Sequence, residues 1–243
     1  MWNLFRKKIK RAKWADPFFT QKQFFAESDN ITIFDVGAYI GDITSIYRRL
    51  FPSANIYAFE PIEESFSKLF ATHGKDTNVF QLAISDRNGK AVINIDEDPS
   101  CNSLLGRPDS VAKYYKTCSE STNQRTVETQ TIDSFCRIKN IGSIDILKID
   151  VEGAETMVFS GASDMLVQNK IKVIYTEIMF VPHYEKGCLY HDIAELLDKY
   201  NYTLLNLYDL RTARDGQLRW GNAIFLSAPM RQQWNISCGL ISR

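Results

Sequence analysis

Four acids stand where the pattern of this chain turns from strand into loop: Asp35 in "FDVGAYIG", Glu60 in "FEP", and Asp150 and Glu152 in "LKIDVEGAE". Carboxylates at such positions suit two tasks, holding a cation and accepting a proton. Asp35 precedes Gly37 and Gly41 in a strand, turn and helix pattern. A dinucleotide turn needs G-x-G-x-x-G so that backbone amides can approach a pyrophosphate. Here the middle glycine is missing. An acid at the strand tip also repels phosphate and favours a positive ligand. S-adenosylmethionine carries a sulfonium and an ammonium and no phosphate, so Asp35, Gly37, Tyr39, Gly41 and Thr44 read as a site for that cofactor. Glu60 follows about twenty residues later, ahead of Pro61, where a carboxylate accepts ribose hydroxyls. Ile84, Ser85 and Asp86 end the next strand, where an adenine would lie. Ser85 and Asp86 read equally well as turn chemistry before Asn88-Gly89.

If the methyl acceptor is a hydroxyl, the transfer needs a proton acceptor, because an aliphatic hydroxyl is about as weakly acidic as water, pKa roughly 15.7. The candidates are Asp150, Glu152, Glu177 in "YTEI" and His183 in the loop after it. Asp150 and Glu152 are two apart and point the same way in an extended chain. Which is base and which positions a ligand stays open, and Glu152 is also a helix-entry acid favoured by the helix dipole. With Glu177 the pair suits a divalent cation through oxygen ligands, although nothing in the sequence calls for a metal. His183 titrates near neutrality, but Pro182 and Tyr184 make a local structural role equally plain. Lys148 alternates in phase with Asp150 and reads as a buried partner or a catalytic part. His73 and His191 fall on helices and read as surface groups.

These residues need a scaffold that brings strand ends together. Apolar strands are expected at 31–36, 55–59, 78–84, 144–149 and 171–178, with helices at 42–50, 62–72, 131–139, 154–168 and 190–200 between them. Asn88-Gly89 turns the chain into a strand at 91–95 that pairs with one near 125–129. Residues 96–124 lack periodicity and read as a mobile loop or lid over the site, with Asn102 and Ser103 as contacts for the acceptor. Two last strands, 202–208 and 222–227, form an antiparallel hairpin at one edge. The fold class is therefore α/β, a Rossmann-like sheet, mostly parallel with an antiparallel final strand and helices on both faces. A reversed final strand marks a class I methyltransferase sheet rather than a dehydrogenase sheet.

Five blocks in order, "FDVGAYIGDIT", "FEP", "AISDRNGKA", "TIDSFC" and "LKIDVEGAE", resemble the FkbM-type methyltransferase family, which methylates hydroxyl oxygens with S-adenosylmethionine. The resemblance covers about residues 31 to 226, and "KIDVEGAE" is its most distinctive part. It implies an O-methyltransferase acting on a sugar, glycolipid or secondary metabolite, with functional acids in "DVEG". Tyr39 departs from it, since the family commonly has Asn there, near the methionine end of the cofactor. A nicotinamide-dependent oxidoreductase on a similar fold and a non-catalytic relative that still binds the cofactor are the competing readings.

The 243 residues suffice for one domain at 29–243 behind a basic arm and covering helix at 1–28. A formal net charge of zero gives no argument for a nucleic-acid partner. Cys101, Cys118, Cys136, Cys188 and Cys238 are scattered, which disfavours a disulfide framework or zinc site and fits a reducing, cytoplasmic setting. No run approaches the ~18 apolar residues of a membrane span. In residues 1–14, Trp2, Phe5, Ile9 and Ala12 share one helical face among Lys and Arg. That pattern suits weak contact with anionic lipid at the inner face of a membrane, or a solvated arm.

Overall fold

Strand β7 (Ile144–Ile149) is buried at every position, the mark of a parallel strand covered on both faces. From Ile146 onward its apolar residues divide between two layers of core. Leu147 and Ile149 join Phe34 and Val36 of β1 (Thr32–Val36) and Ile174 of β8 (Ile171–Met179) on one face. Ile146 joins Ile33, Val173 and Tyr175 on the other. The computed structural model describes residues 14–26, 29–107 and 123–240, so the basic pattern of residues 1–13 and most of the expected lid lie outside the described residues.

The main sheet has seven strands in the order β3-β2-β1-β7-β8-β10-β9, where β2 is Asn55–Phe59, β3 Asn78–Phe80, β9 Thr203–Thr212 and β10 Leu218–Leu226. The pairs from β3 to β8 run parallel, while β10 runs antiparallel to both β8 and β9. The sheet is thus Rossmann-like with a reversed last strand, and the strand order switches direction between β1 and β7. Ligands in open α/β sheets bind at that switch, beyond the strand carboxyl ends.

Helices α2 (Asp42–Leu50), α3 (Glu63–His73), α4 (Ile132–Lys139) and α7 (Tyr190–Lys199) connect the strands as the periodicity predicts. Three elements differ from expectation. The single strand at 78–84 is two: β3 pairs with β2, and β4 (Ala83–Ile84) leaves to join β6 (Asn123–Gln130) and β5 (Gly89–Ile95) in a second sheet. The single helix at 154–168 breaks at Gly161 into α5 (Glu155–Ser160) and α6 (Ser163–Val167). There the Gly161 carbonyl accepts from Asp133 N at 3.0 Å, and the Asp133 carboxylate caps α6 through Asp164 N and Met165 N at 2.9 and 3.1 Å. The last difference is α8 (Ala228–Ser237), unforeseen at the C-terminus.

Ahead of the sheet, α1 (Pro17–Lys22) is capped by Asp16, whose Oδ1 accepts from Phe18 N and Phe19 N at 2.8 Å each. The Phe24 ring beyond it meets Trp234 of α8 edge-on at 4.8 Å, so the two ends of the described chain close one face together. His73 is not a surface group: it is buried, with Nε2 2.9 Å from Ser45 Oγ and 3.2 Å from the Gly41 carbonyl. Among the described residues no helix is long and apolar enough to cross a membrane.

Candidate active site

Because β1 and β7 are neighbours, with Asp35 opposite Lys148 and Val36 opposite Ile149, the loops that follow them lie side by side. They touch backbone to backbone. A Cβ on Gly37 (φ 72°) would sit 1.8 Å from the Asp150 carbonyl oxygen, so only glycine fits. Lys148 ties the loops from below, donating from Nζ to the carbonyls of Gly37 at 2.6 Å and Val36 at 3.3 Å.

Asp35 faces inward. It is fully buried, its Oδ2 accepts from Thr44 Oγ1 at 2.6 Å, and its Oδ1 lies 3.1 Å from Lys148 Nζ. Burial opposes the charge on Lys148, but Asp35, then Asp150 and Glu177, outweigh it and raise its pKa. In the sequence alone, Asp35 reads as the charge that repels phosphate. In the fold that charge is closed into an ion pair with Lys148 and does not line the cavity, because a buried carboxylate without a partner would be unfavourable. Gly41 and Thr44 likewise shape the turn without lining the cavity.

A cavity of about 310 Å³ opens over the two loops. Gly37, Tyr39, Glu60, Pro61, Ile84, Asp150 and Glu152 of the expected residues line it. Among the described residues its charged lining is Asp42, Glu60, Asp150 and Glu152 against Lys148. Four backbone amides of the first turn are engaged: Gly37 N and Ala38 N donate to Phe59 O at 3.1 and 2.9 Å, Tyr39 N to Glu60 Oε2 at 3.0 Å, and Gly41 N to Ala38 O at 2.9 Å. A pyrophosphate cradle needs such donors free.

Glu60 accepts from Tyr39 N and, through Oε1, from Ile62 N at 2.8 Å. Burial pushes its pKa up to about 7 against those two hydrogen bonds. A carboxylate has about four acceptor sites, so these two bonds leave capacity for further donors. Tyr39 sits at φ 51°, the left-handed region that Asn tolerates better than a bulky residue does. That explains in backbone terms why an Asn suits this position.

Ser85 and Asp86 fall outside the lining. The Ser85 amide donates to Gln130 O at 3.0 Å, its carbonyl packs against Gly161, and Asp86 is exposed beside Arg87. Both serve the turn, and neither faces the cavity.

On the other side, Asp150, Glu152 and Glu177 converge, each offering an oxygen within 4.8 Å of the others. Glu152 is turned toward its neighbours by a left-handed pair, Glu152 at φ 57° and Gly153 at φ 89°. Burial first, and then the Asp150 charge, push its pKa up to about 8. Burial and then Glu152 and Asp150 raise Glu177 well above the carboxylate range, and its Oε2 is buried without a hydrogen-bond partner. Glu155 caps the loop, Oε1 accepting from Val151 N at 3.2 Å and Gly153 N at 3.3 Å.

Residues 96–107, expected to be mobile, form a strap fastened over this cluster. Ser103 Oγ donates to the Glu152 carbonyl at 2.7 Å, and Glu185 N donates to Gly106 O at 2.7 Å. Arg107 pairs with Asp96 at 2.9 Å in a buried bridge, stacks over Tyr184 at 4.8 Å and bonds His183 Nε2. Burial and the Arg107 charge push His183 down to about 4, so it is a poor base and does not line the cavity. Arg107 escaped the sequence reading, and Tyr184 entered it only as a neighbour of His183, because neither belongs to a motif. Only the fold brings them to Glu152.

The profile of the Methyltransferase FkbM domain matches residues 35–204. The chain belongs to the FkbM methyltransferase family. The match runs from Asp35 into β9 and takes in both loops and the acid cluster of this FkbM methyltransferase, leaving α1 and α8 outside. The protein is 30% identical over 184 residues to the 2-O-methyltransferase NoeI of Sinorhizobium fredii, covering 72% of this chain and 74% of that one. It is 25% identical over 153 residues to Methyltransferase 1 of Beauveria bassiana, covering 56% and 60%. Among solved structures, an rRNA methylase from Streptococcus thermophilus aligns with a TM-score of 0.47 at 11% identity, covering 87% of this chain and 96% of that one.

Proposed function

We propose that this methyltransferase uses S-adenosylmethionine and methylates a hydroxyl of a sugar, glycolipid or small secondary metabolite. The carrying observation is the first turn, whose amides at Gly37, Ala38, Tyr39 and Gly41 are all taken by protein acceptors. A dinucleotide pyrophosphate would find these four donors taken. The acids lining the cavity suit a cationic ligand instead, and they replace the buried Asp35 in that argument. When bound, S-adenosylmethionine supplies an electrophilic methyl group on a sulfonium.

The chain's own residues divide the remaining work. Glu60 keeps acceptor sites for the ribose hydroxyls. Asp150, 42% exposed at its side chain, offers negative charge to the cationic end. Glu152, held near neutrality in its proton affinity, takes the proton of the acceptor hydroxyl, as a base matched to the working pH should. The name of the NoeI relative supports oxygen as the methylated atom. The apolar and basic pattern of residues 1–14 suits an acceptor presented on a lipid.

Isothermal titration tests the cofactor. Heat is expected with S-adenosylhomocysteine and none with NAD or NADP, and Glu60→Ala should abolish it. Binding of a nicotinamide dinucleotide in place of S-adenosylhomocysteine would overturn the reading. Radiolabelled methyl donor, added with the enzyme to extract from cells lacking it, then names the acceptor class.

A further inference from the structure

Tyr184 is buried between the strap and the loop after β7. A Cβ on Gly153 would lie 2.7 Å from Tyr184 Cδ2, the Arg107 guanidinium covers the ring, and the His183 ring stands 4.7 Å away. Its hydroxyl has two acceptors within reach: Glu152 Oε2 at 2.5 Å and the Cys101 carbonyl of the strap at 3.3 Å. A phenol has one hydrogen to give. With Glu152 ionised, the short charge-assisted bond takes it.

Once Glu152 carries a proton on Oε2, the carboxyl donates to the phenol oxygen, and the phenol hydrogen is released toward Cys101. We propose that Tyr184 is the positioning residue for Glu152, orienting its carboxylate and passing its protonation state to the strap through this exchange of hydrogen-bond partners. The inference rests on Glu152 being the proton acceptor. The acceptor's hydroxyl loses its proton to Glu152, the phenol keeps its own, and no electron moves.

Glu152 is faced by Asp150 and Glu155 from its own loop and the following helix, by Glu177 from β8, and by Cys101 and Arg107 from the strap. The acids favour its protonated form, while Arg107 and the Tyr184 hydroxyl favour the carboxylate. Removing the hydroxyl therefore moves the balance in a known direction. A tyrosine that merely filled space would leave it unchanged.

The test is a carbon-13 NMR titration of protein labelled at glutamate Cδ, with the Glu152 resonance assigned by its loss in Glu152→Gln. In Tyr184→Phe the Glu152 midpoint should rise by about one pH unit or more, a tenfold gain in proton affinity. An unmoved midpoint in a folded variant overturns the proposal. The wild type gives a second measurement that needs no variant. Hydrogen exchange of residues 98–107, corrected for intrinsic rate, should slow as pH falls through the Glu152 midpoint, and protection independent of that midpoint also overturns it. Absence of S-adenosylhomocysteine heat with wild type would sink the cofactor reading, whereas an unmoved midpoint with that heat present sinks only the role of Tyr184.

Discussion

After β1 the chain turns through Gly37, Tyr39 and Gly41 at φ of 72, 51 and 97°, and after β7 it turns through Glu152 and Gly153 at 57 and 89°. The two turns have similar backbones and share a contact, yet their charges are handled in opposite ways. The acid before the first turn, Asp35, is closed off by Lys148 and Thr44. The acids at the second, Asp150 and Glu152, meet a third, Glu177, and the nearest ammonium stands 3.9 Å from Asp150. A buried charge with a partner fixes structure. Carboxylates crowded together without enough cations hold protons at neutral pH and can exchange them. The first turn is fixed by a closed ion pair, and the second gathers acids whose burial favours their protonated forms.

The largest expected effect breaks the first half of that contrast. Lys148→Met strands Asp35 in the core and frees two loop carbonyls, and should remove about 3–5 kcal/mol of stability, read by urea denaturation. Adding Asp35→Asn should recover part of the loss. Glu177→Gln, by contrast, removes a carboxyl already inclined to be neutral and should change stability at pH 7 by less than about 1 kcal/mol. Equal effects of the two single substitutions would erase the distinction between the turns.

Much of this arrangement was legible before the fold was known. Alternation of apolar strands with helices placed the sheet, and the glycine and acid spacing placed both turns, because those features are local and periodic. The sign of the charge at Asp35 was legible but its partner was not. Lys148 lies over a hundred residues away, and only the parallel register of β1 with β7 sets them opposite each other. The same holds for Tyr184 and Arg107, which reach Glu152 through a loop and a strap with no periodic signal. The placing of Ser85 was illegible for a related reason: departure of β4 into the second sheet commits its amide to Gln130. C-terminal α8 announced itself only through Ser227 and Pro229, an N-terminal helix signature too short to weigh alone.

The second effect, intermediate in size, probes the buried acids through pH. Glu152 and Glu60 have pKa values raised from 4.5 to about 8 and about 7. The folded protein therefore holds protons that the unfolded chain has released, which stabilises the fold in acid. That contribution is complete below about pH 4.5 and is lost as pH rises through 7 and 8. Each group contributes a slope of at most about 1.4 kcal/mol per pH unit, less where solvent screens it. Urea midpoints across that range should fall for wild type, and Glu152→Gln should flatten the fall. A slope that the substitution leaves unaltered would mean Glu152 titrates in its ordinary range.

The smallest effect separates the turns by backbone alone. Both carry a non-glycine residue at positive φ, but the two have different reasons to be there. Glu152 has its carboxylate engaged by Tyr184 and its carbonyl by Ser103, so its strain secures side-chain chemistry. For Tyr39, the bond that matters to the turn is made by its backbone amide to Glu60, which any residue but proline supplies. Tyr39→Asn should therefore relieve left-handed strain of about 1 kcal/mol while keeping that bond, raising Tm by about 2–4 °C for a chain of this size. S-adenosylhomocysteine titration on the same variant reads whether the ring serves the ligand. A higher Tm with weaker binding would show a tyrosine held in a strained conformation for the cofactor's sake, which would make the first turn functional in its side chains as well as its backbone. A lower Tm would show that packing of the ring outweighs the backbone strain, and the asymmetry between the turns would then rest on charge alone.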